Sequence, residues 1–318
     1  MLIGITDIEA AAERIAEHVL RTPTVPSPGL AELLGAPVTA KLELLQRTGS
    51  FKVRGAAAKL LSLGEAERAA GVVAVSGGNH GIALAVMAGA LGIKATVVMP
   101  RSAPGRAVSI AESAGAEVRL TDDMAGAFKL MTDLQASGLT LVHPFDDPAV
   151  IAGQGTVGLE FAEDAGPVTD VLVSIGGGGL ISGVAAALRA RRPGVRIWGV
   201  ETAGAHAMSA ALTAGGPTEI ELSSIVSTLS APQVSPLTYE HVSALVDDVI
   251  VVSDAEAVQG VLDFAERAKL WAEPAEGCLL PAARQVLERV GDAELGLLVC
   301  GGNATTADVT DWARRFGL

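Results

Sequence analysis

Basic residues are scarce in this 318-residue chain: 23 Lys and Arg stand against 36 Asp and Glu, a formal net charge of −13. Nucleic-acid binding needs a basic patch to neutralise phosphates, and scattered cations among more numerous carboxylates argue against such a partner. The negative surplus reads as solubility. Cysteine occurs only twice, as Cys278 and Cys300, which excludes a disulfide-stapled scaffold and points to the reducing cytoplasm. No cationic segment followed by an apolar one opens the chain, so a secretory leader is not expected. The uncharged stretch from Val171 to Leu188 invites a membrane reading, but Gly176 to Gly179 at its centre would weaken a spanning helix. Strand, tight loop and helix fit it better. What is present, 49% hydrophobic and 19% charged residues, excludes disorder and allows one large or two medium domains.

Thr6, Asp7, Ile8 and Glu9 read as a capping box, with Ile8, Ala12, Ile15 and Val19 following at helical spacing. Short β-branched runs then alternate with Ala-rich segments. Strands are predicted at Val72–Val75, Thr96–Met99, Glu117–Leu120, Leu139–Val142, Asp170–Ile175, Arg196–Val200, Asp248–Val252 and Gly296–Cys300. Strands separated by helices imply parallel sheets, and near-continuous apolar strands imply that both faces are covered. The fold class is α/β. Turn-rich stretches at Leu63–Ala70 and His143–Pro148 suggest a small inserted domain, 66–143, between the two parts of a larger one, 1–65 and 144–318. A ligand cleft between them is expected.

Four segments can carry chemistry. Ser174 to Leu180 (SIGGGGL) follows an apolar strand and precedes the Ala-rich segment Gly183–Arg189, so its amides can cradle a phosphate or form a plain flexible turn. It lacks a Walker ending and a GxGxxG pattern, which excludes NTP and NAD. In GSFKVRGA, Lys52 lies beside Phe51 near a predicted helix start, where burial favours a neutral, nucleophilic amine able to form an imine. On its own such a lysine is more commonly a solvated charge. SGGNHG, Ser76 to Gly81, turns from strand to helix, and its amides and Asn79 can hold a carboxylate or a hydroxyl, or can serve the turn alone. CGGN, Cys300 to Asn303, is a third such turn, in which Cys300 alone reads as a core residue.

Together with HPFDDPAVIAGQGT, His143 to Thr156, these strings resemble fold type II (tryptophan synthase β-like) pyridoxal 5'-phosphate enzymes, in particular the serine/threonine dehydratase and serine racemase family. The resemblance covers essentially the whole chain. It implies a two-domain fold with parallel-rich sheets covered by helices, and a homodimer. It implies that Lys52 carries the cofactor covalently with Phe51 packed on its ring, that Gly176, Gly177, Gly178, Gly179 and Leu180 hold the phosphate, and that Asn79 meets the ring hydroxyl. Cys300 would face the pyridine nitrogen as a weak neutral donor, giving a poorer electron sink than a carboxylate would. Ser50, Ser76, Gly77, Gly78, Asn79 and His80 would take the amino-acid substrate.

The implied reaction is β-elimination. Lys52, released by the substrate's amine, removes the Cα proton, the β-hydroxyl leaves, and hydrolysis yields a 2-keto acid and ammonia. Several positions depart from the family. Gly77 stands where the racemases carry a serine as opposite-face acid, which ranks dehydratase above racemase. Thr228 and Leu229 replace an Ala-Asp-Gly string, and Glu276, in the run Glu273, Pro274, Ala275, Glu276, Gly277, is an acid where small residues are usual. Glu201 opens a segment that binds a divalent cation in some relatives, but Ala205 and Ala207 stand where ligands would be, so no metal is expected. The chain stops soon after its last helix, which looks like the branch without a regulatory domain. Racemase, β-replacement synthase and a non-enzymatic sensor are the alternatives.

Overall fold

The computed structural model describes residues 2–318. Ten strands form two sheets: β1 (Thr24–Pro26), β2 (Val38–Leu42), β3 (Val72–Val75), β4 (Ala95–Pro100), β5 (Glu117–Thr121), β6 (Thr140–Leu141), β7 (Asp170–Ser174), β8 (Arg196–Thr202), β9 (Asp248–Val252) and β10 (Leu295–Val299). The larger sheet has the order β1-β2-β10-β7-β8-β9 and the smaller β5-β4-β3-β6. Every pairing is parallel except that of β1 with β2. All residues of β4, β7 and β10 are buried, as expected for strands covered by helices on both faces. The α/β class holds, and all eight predicted strands are present, Val72–Val75 and Asp248–Val252 with the predicted bounds and the others with ends displaced by one or two residues.

The chain contains two strands the sequence pattern did not reveal. β1 is hidden by Pro26 within it and Pro23 just before it, tolerated because it is a short edge strand. β2 carries Lys41, which is fully buried and donates to Glu160 Oε2 at 2.6 Å. Two local expectations need correction. The first helix, Ile5–Ile15, starts before Thr6, because Asp7 reaches back to the amide of Gly4 at 2.9 Å. The stretch taken as turn-rich at 63–70 is mostly the helix Glu65–Ala70, with Glu67 accepting from the Gly64 amide at 2.8 Å.

Residues 72–141 supply every strand of the smaller sheet. Its apolar interior is nevertheless continuous with the rest: Val53, Ala57 and Leu60 share one cluster with Ala83, Leu84, Met87 and Ile151. Three helices, Lys52–Ser62, Pro148–Asp164 and Gly179–Arg191, are drawn together by glycines. A β-carbon on Gly183 would stand 2.4 Å from Ile151 O, and one on Gly153 2.7 Å from Arg54 O. Only glycine allows backbones this close.

Beneath the Lys52 helix lies a buried charge network. Arg54 donates to both carboxylate oxygens of Glu43 at 2.8 Å, to Glu160 at 2.7 and 2.9 Å and to Leu20 O at 3.0 Å, while Lys41 completes Glu160. Two cations and two anions balance, as buried charges must.

Candidate active site

The site grows from the order of three adjacent parallel strands. β10 lies between β2 and β7, so the segments leaving their carboxyl ends meet above the sheet edge, where open α/β sheets bind ligands. The chain after β2 leads to Lys52, the chain after β7 is the glycine turn, and Cys300 follows β10 between them. The lysine segment is stitched to β10: the amide of Phe51 donates to Cys300 O at 2.9 Å, and Ser50 bridges Gly301. Ser50 is fully buried and its hydroxyl has no hydrogen-bond partner among the described residues.

Lys52 is the first residue of its helix. Its Nζ donates to Pro144 O at 3.1 Å and stands 5.1 Å from the centre of the Phe51 ring. Burial of the amine opposes its charge and lowers its pKa to about 8, the Cys300 thiol pulling weakly the other way. A substantial neutral fraction at physiological pH makes this amine a nucleophile and a base.

The glycine turn opens the helix Gly179–Arg191. Gly178 has φ +91°, and β-carbons on Gly177 and Gly179 would stand 2.1 and 2.9 Å from Phe145 atoms, with one on Gly176 3.2 Å from Leu229 Cα. Any side chain here would fill the cradle, and the first-turn amides have no intrahelical acceptor, an arrangement suited to a phosphate. A buried amine with a lowered pKa beside a glycine-only helix N-terminus fits pyridoxal phosphate.

The profile of pyridoxal-phosphate dependent enzymes matches residues 15–301. The chain belongs to that family. It is 38% identical to an L-threonine ammonia-lyase of Thermotoga maritima, over 95% of this chain and 76% of that one. It is 36% identical to the catabolic L-threonine dehydratase of Escherichia coli, over 97% and 95% of the two chains. Among solved structures, maize serine racemase superposes with a TM-score of 0.91 at 34% identity, covering 100% of this chain and 98% of that one. The fold is thus that of fold type II pyridoxal-phosphate enzymes, and the cofactor is pyridoxal phosphate.

The turn after β3 brings the smaller sheet to the same place. Asn79, first residue of the helix Asn79–Ala90, is engaged at both ends of its amide: Nδ2 donates to Glu273 at 3.0 and 3.3 Å, and Oδ1 accepts from Asn303 Nδ2 at 2.7 Å. Asn303 also donates to Thr48 O at 2.8 Å. Ser76 Oγ accepts from the Gly78 amide at 3.2 Å. The His80 ring is buried, and burial with the nearby Lys52 charge lowers its pKa to about 3. It is therefore neutral, with Nε2–H donating to Val142 O at 2.8 Å and Nδ1 without a partner among the described residues. At Gly77 a β-carbon would stand 2.7 Å from Ala103 Cβ. The backbone here has no room for a serine.

Leu229, one of the departures, is 5% exposed and packs in the cluster that holds Trp198, Val200 and Leu297, so only its backbone borders Gly176. Glu201 caps the helix Ala207–Ala214: its carboxylate accepts from the amides of Met208 and Ser209 at 2.9 Å and from Ser209 Oγ at 2.6 Å. The run Glu273 to Gly277 lies against Cys300, with Glu276 Oε1 2.7 Å from its Sγ. Phe145, Asn303 and Glu273 were not singled out from the sequence as site residues. The first sits in the string read as a domain boundary, and a buried acid beside proline was the available signal for the last.

Proposed function

We propose that this chain is a pyridoxal-phosphate-dependent ammonia-lyase that converts a β-hydroxy L-amino acid, such as L-threonine or L-serine, to a 2-keto acid and ammonia. The observation that carries this reading is the Lys52 amine: buried, with its pKa lowered to about 8, and carried by the segment after β2, next to Cys300 after β10 and, beyond it, the glycine turn after β7. The family's relatives named threonine ammonia-lyase and threonine dehydratase support the reaction class.

In this reading Lys52 holds the cofactor with Phe51 against its ring, the turn Gly176 to Gly179 with Leu180 holds the phosphate, and Asn79 and Cys300 meet the ring's polar edge. When bound, pyridoxal phosphate supplies the electron sink for charge developed at Cα. The chain supplies the rest. Ser50 and the turn Ser76 to His80 present a buried hydroxyl and backbone amides to the substrate carboxylate. The neutral Nζ of Lys52 takes the Cα proton, a task suited to a base whose pKa lies near the working pH. No second proton carrier stands at Gly77, which favours elimination over inversion.

Residues 66–143 are read as a small domain between the two parts of a larger one, closing on the substrate. The protein is read as a homodimer located in the cytoplasm, a reducing compartment that suits its two free, buried thiols. The test is 2-keto acid release by the loaded protein from a panel of β-hydroxy amino acids. Release from L-threonine or L-serine, reduced roughly 100-fold or more by Lys52→Ala, is the expected result. Silence across the panel, or full activity without Lys52, overturns it.

A further inference from the structure

Glu276 is a buried acid with an unusual neighbour. It lies in the short helical turn Pro274–Gly277, is 1% exposed, and divides its carboxyl between two partners: Oε1 is 2.7 Å from Cys300 Sγ, and Oε2 accepts from the Glu273 amide at 2.9 Å. The turn is pinned. Ser174 Oγ and Cys278 Sγ both donate to Ala275 O, at 2.5 and 2.9 Å. A second carboxyl converges on the same spot, since a β-carbon on Gly301 would stand 3.0 Å from Glu273 Oε1 and 3.4 Å from Glu276 Oε1. Neither acid forms an ion pair with Lys or Arg among the described residues.

Two unpaired acids this deep cannot both be ionised. Glu273 has a better claim to the charge, because Asn79 Nδ2 and the Asn303 amide both donate to it, the latter at 2.7 Å. Burial and the Glu273 carboxylate both push the Glu276 pKa well above the ordinary carboxylate range. The other titratable groups in reach are the Cys300 and Cys278 thiols, with Lys52 beyond Cys300 and with Arg106 and Asp308 acting on Glu273.

A thiol has a single proton to donate. We infer that Glu276 decides where the Cys300 thiol donates, and so sets the hydrogen bond offered to the cofactor's ring nitrogen. When Glu276 is protonated, its O–H donates to Sγ and frees the S–H for the pocket. When Glu276 is ionised, Oε1 holds the S–H and the pocket faces a sulfur lone pair. No bond is made or broken in the switch beyond the loss of one proton from Glu276 to solvent. Glu276 is a positioning residue acting through Cys300, and the inference rests on the reading that Cys300 faces the ring nitrogen.

The test uses the holoenzyme loaded with pyridoxal phosphate carrying 15N in its ring, whose chemical shift reports hydrogen bonding to that atom. In wild type the shift moves in a single step, at a pH well above the ordinary carboxylate range, ending near the value of Cys300→Ala. Glu276→Gln holds the low-pH value throughout. Its carbonyl takes the place of Oε2 on the Glu273 amide, which turns the NH2 toward Sγ as a permanent donor. If that variant fails to fold, Glu276→Ala serves, and its shift is independent of pH. A flat wild-type profile, a variant that tracks wild type, or a Cys300→Ala shift equal to wild type at low pH overturns the inference. The underlying reading fails differently: a protein that takes up no pyridoxal phosphate, or takes it up equally well as Lys52→Ala, lacks the lysine-linked absorption band, and both ideas fall together.

Discussion

The Phe145 ring occupies the space that a side chain on Gly177 would need, its Cδ1 standing 2.1 Å from where a β-carbon would be. The turn proposed to hold the phosphate is therefore shaped from both sides, by the absence of side chains on it and by the Phe145 ring. Gly177→Ala must displace that ring, a rearrangement costing about 1–3 kcal/mol. Cofactor affinity is expected to fall about tenfold or more, measured by absorbance titration, and Phe145→Ala in the same chain is expected to restore part of it. Unchanged affinity in Gly177→Ala would show that this turn does not hold the phosphate.

Lys52 gives a pH signature. Only the neutral amine attacks a carbonyl, so cofactor uptake by the apo protein should quicken about tenfold per pH unit below about 8 and level off above it. Stability follows the same group. The folded pKa lies below the ordinary 10.5, so between those values the unfolded chain binds more protons and the apo protein gains stability as pH rises. Lys52→Met should remove that gain. Stopped-flow absorbance and thermal melts at a series of pH values check both; a pH-independent uptake rate would contradict a depressed amine.

Arg54, two residues beyond Lys52, holds the buried carboxylate of Glu43 and the partly buried one of Glu160. Arg54→Ala leaves Glu43 without a cation and Glu160 with only Lys41, a loss of about 3–5 kcal/mol of stability. Lysine cannot reproduce the forked contacts, so Arg54→Lys is expected to recover only a fraction. Urea unfolding provides the measurement. A change below about 1 kcal/mol would mean that water reaches the cluster.

At Gly77 the obstacle to a serine is Ala103, 2.7 Å from the would-be β-carbon. Gly77→Ser alone should lower the melting temperature, and Gly77→Ser with Ala103→Gly should regain it. The double variant, now carrying a second proton carrier, should also form more D-serine from L-serine than wild type, followed by chiral chromatography. A stable single variant would remove the steric argument.

Much of this was legible in the sequence where a signal is local. The eight strand predictions rest on apolar runs bounded by turn residues, and the glycine turn is visible because four glycines after a strand have few other uses. β2 escaped because Lys41 looks like a surface charge until Glu160, 119 residues away, is placed against it. Glu276 was visible as a misplaced acid, but its partner Cys300 lies 24 residues on, and no periodicity links them. The Gly77 departure could be noticed in the sequence, whereas the reason for it, Ala103, belongs to the next strand-to-helix connection.

One consequence of the strand order concerns synthesis. β10 is the last strand in the chain yet stands between β2 and β7, so a growing polypeptide must carry both as unpaired edges until residues 295–299 emerge. Such non-local closure is slow and leaves sticky intermediates. Since Cys300 and the clasp on Phe51 arrive with that same strand, a chain that lacks residues 295–301 has neither the central strand nor the contact that holds the Lys52 segment against it.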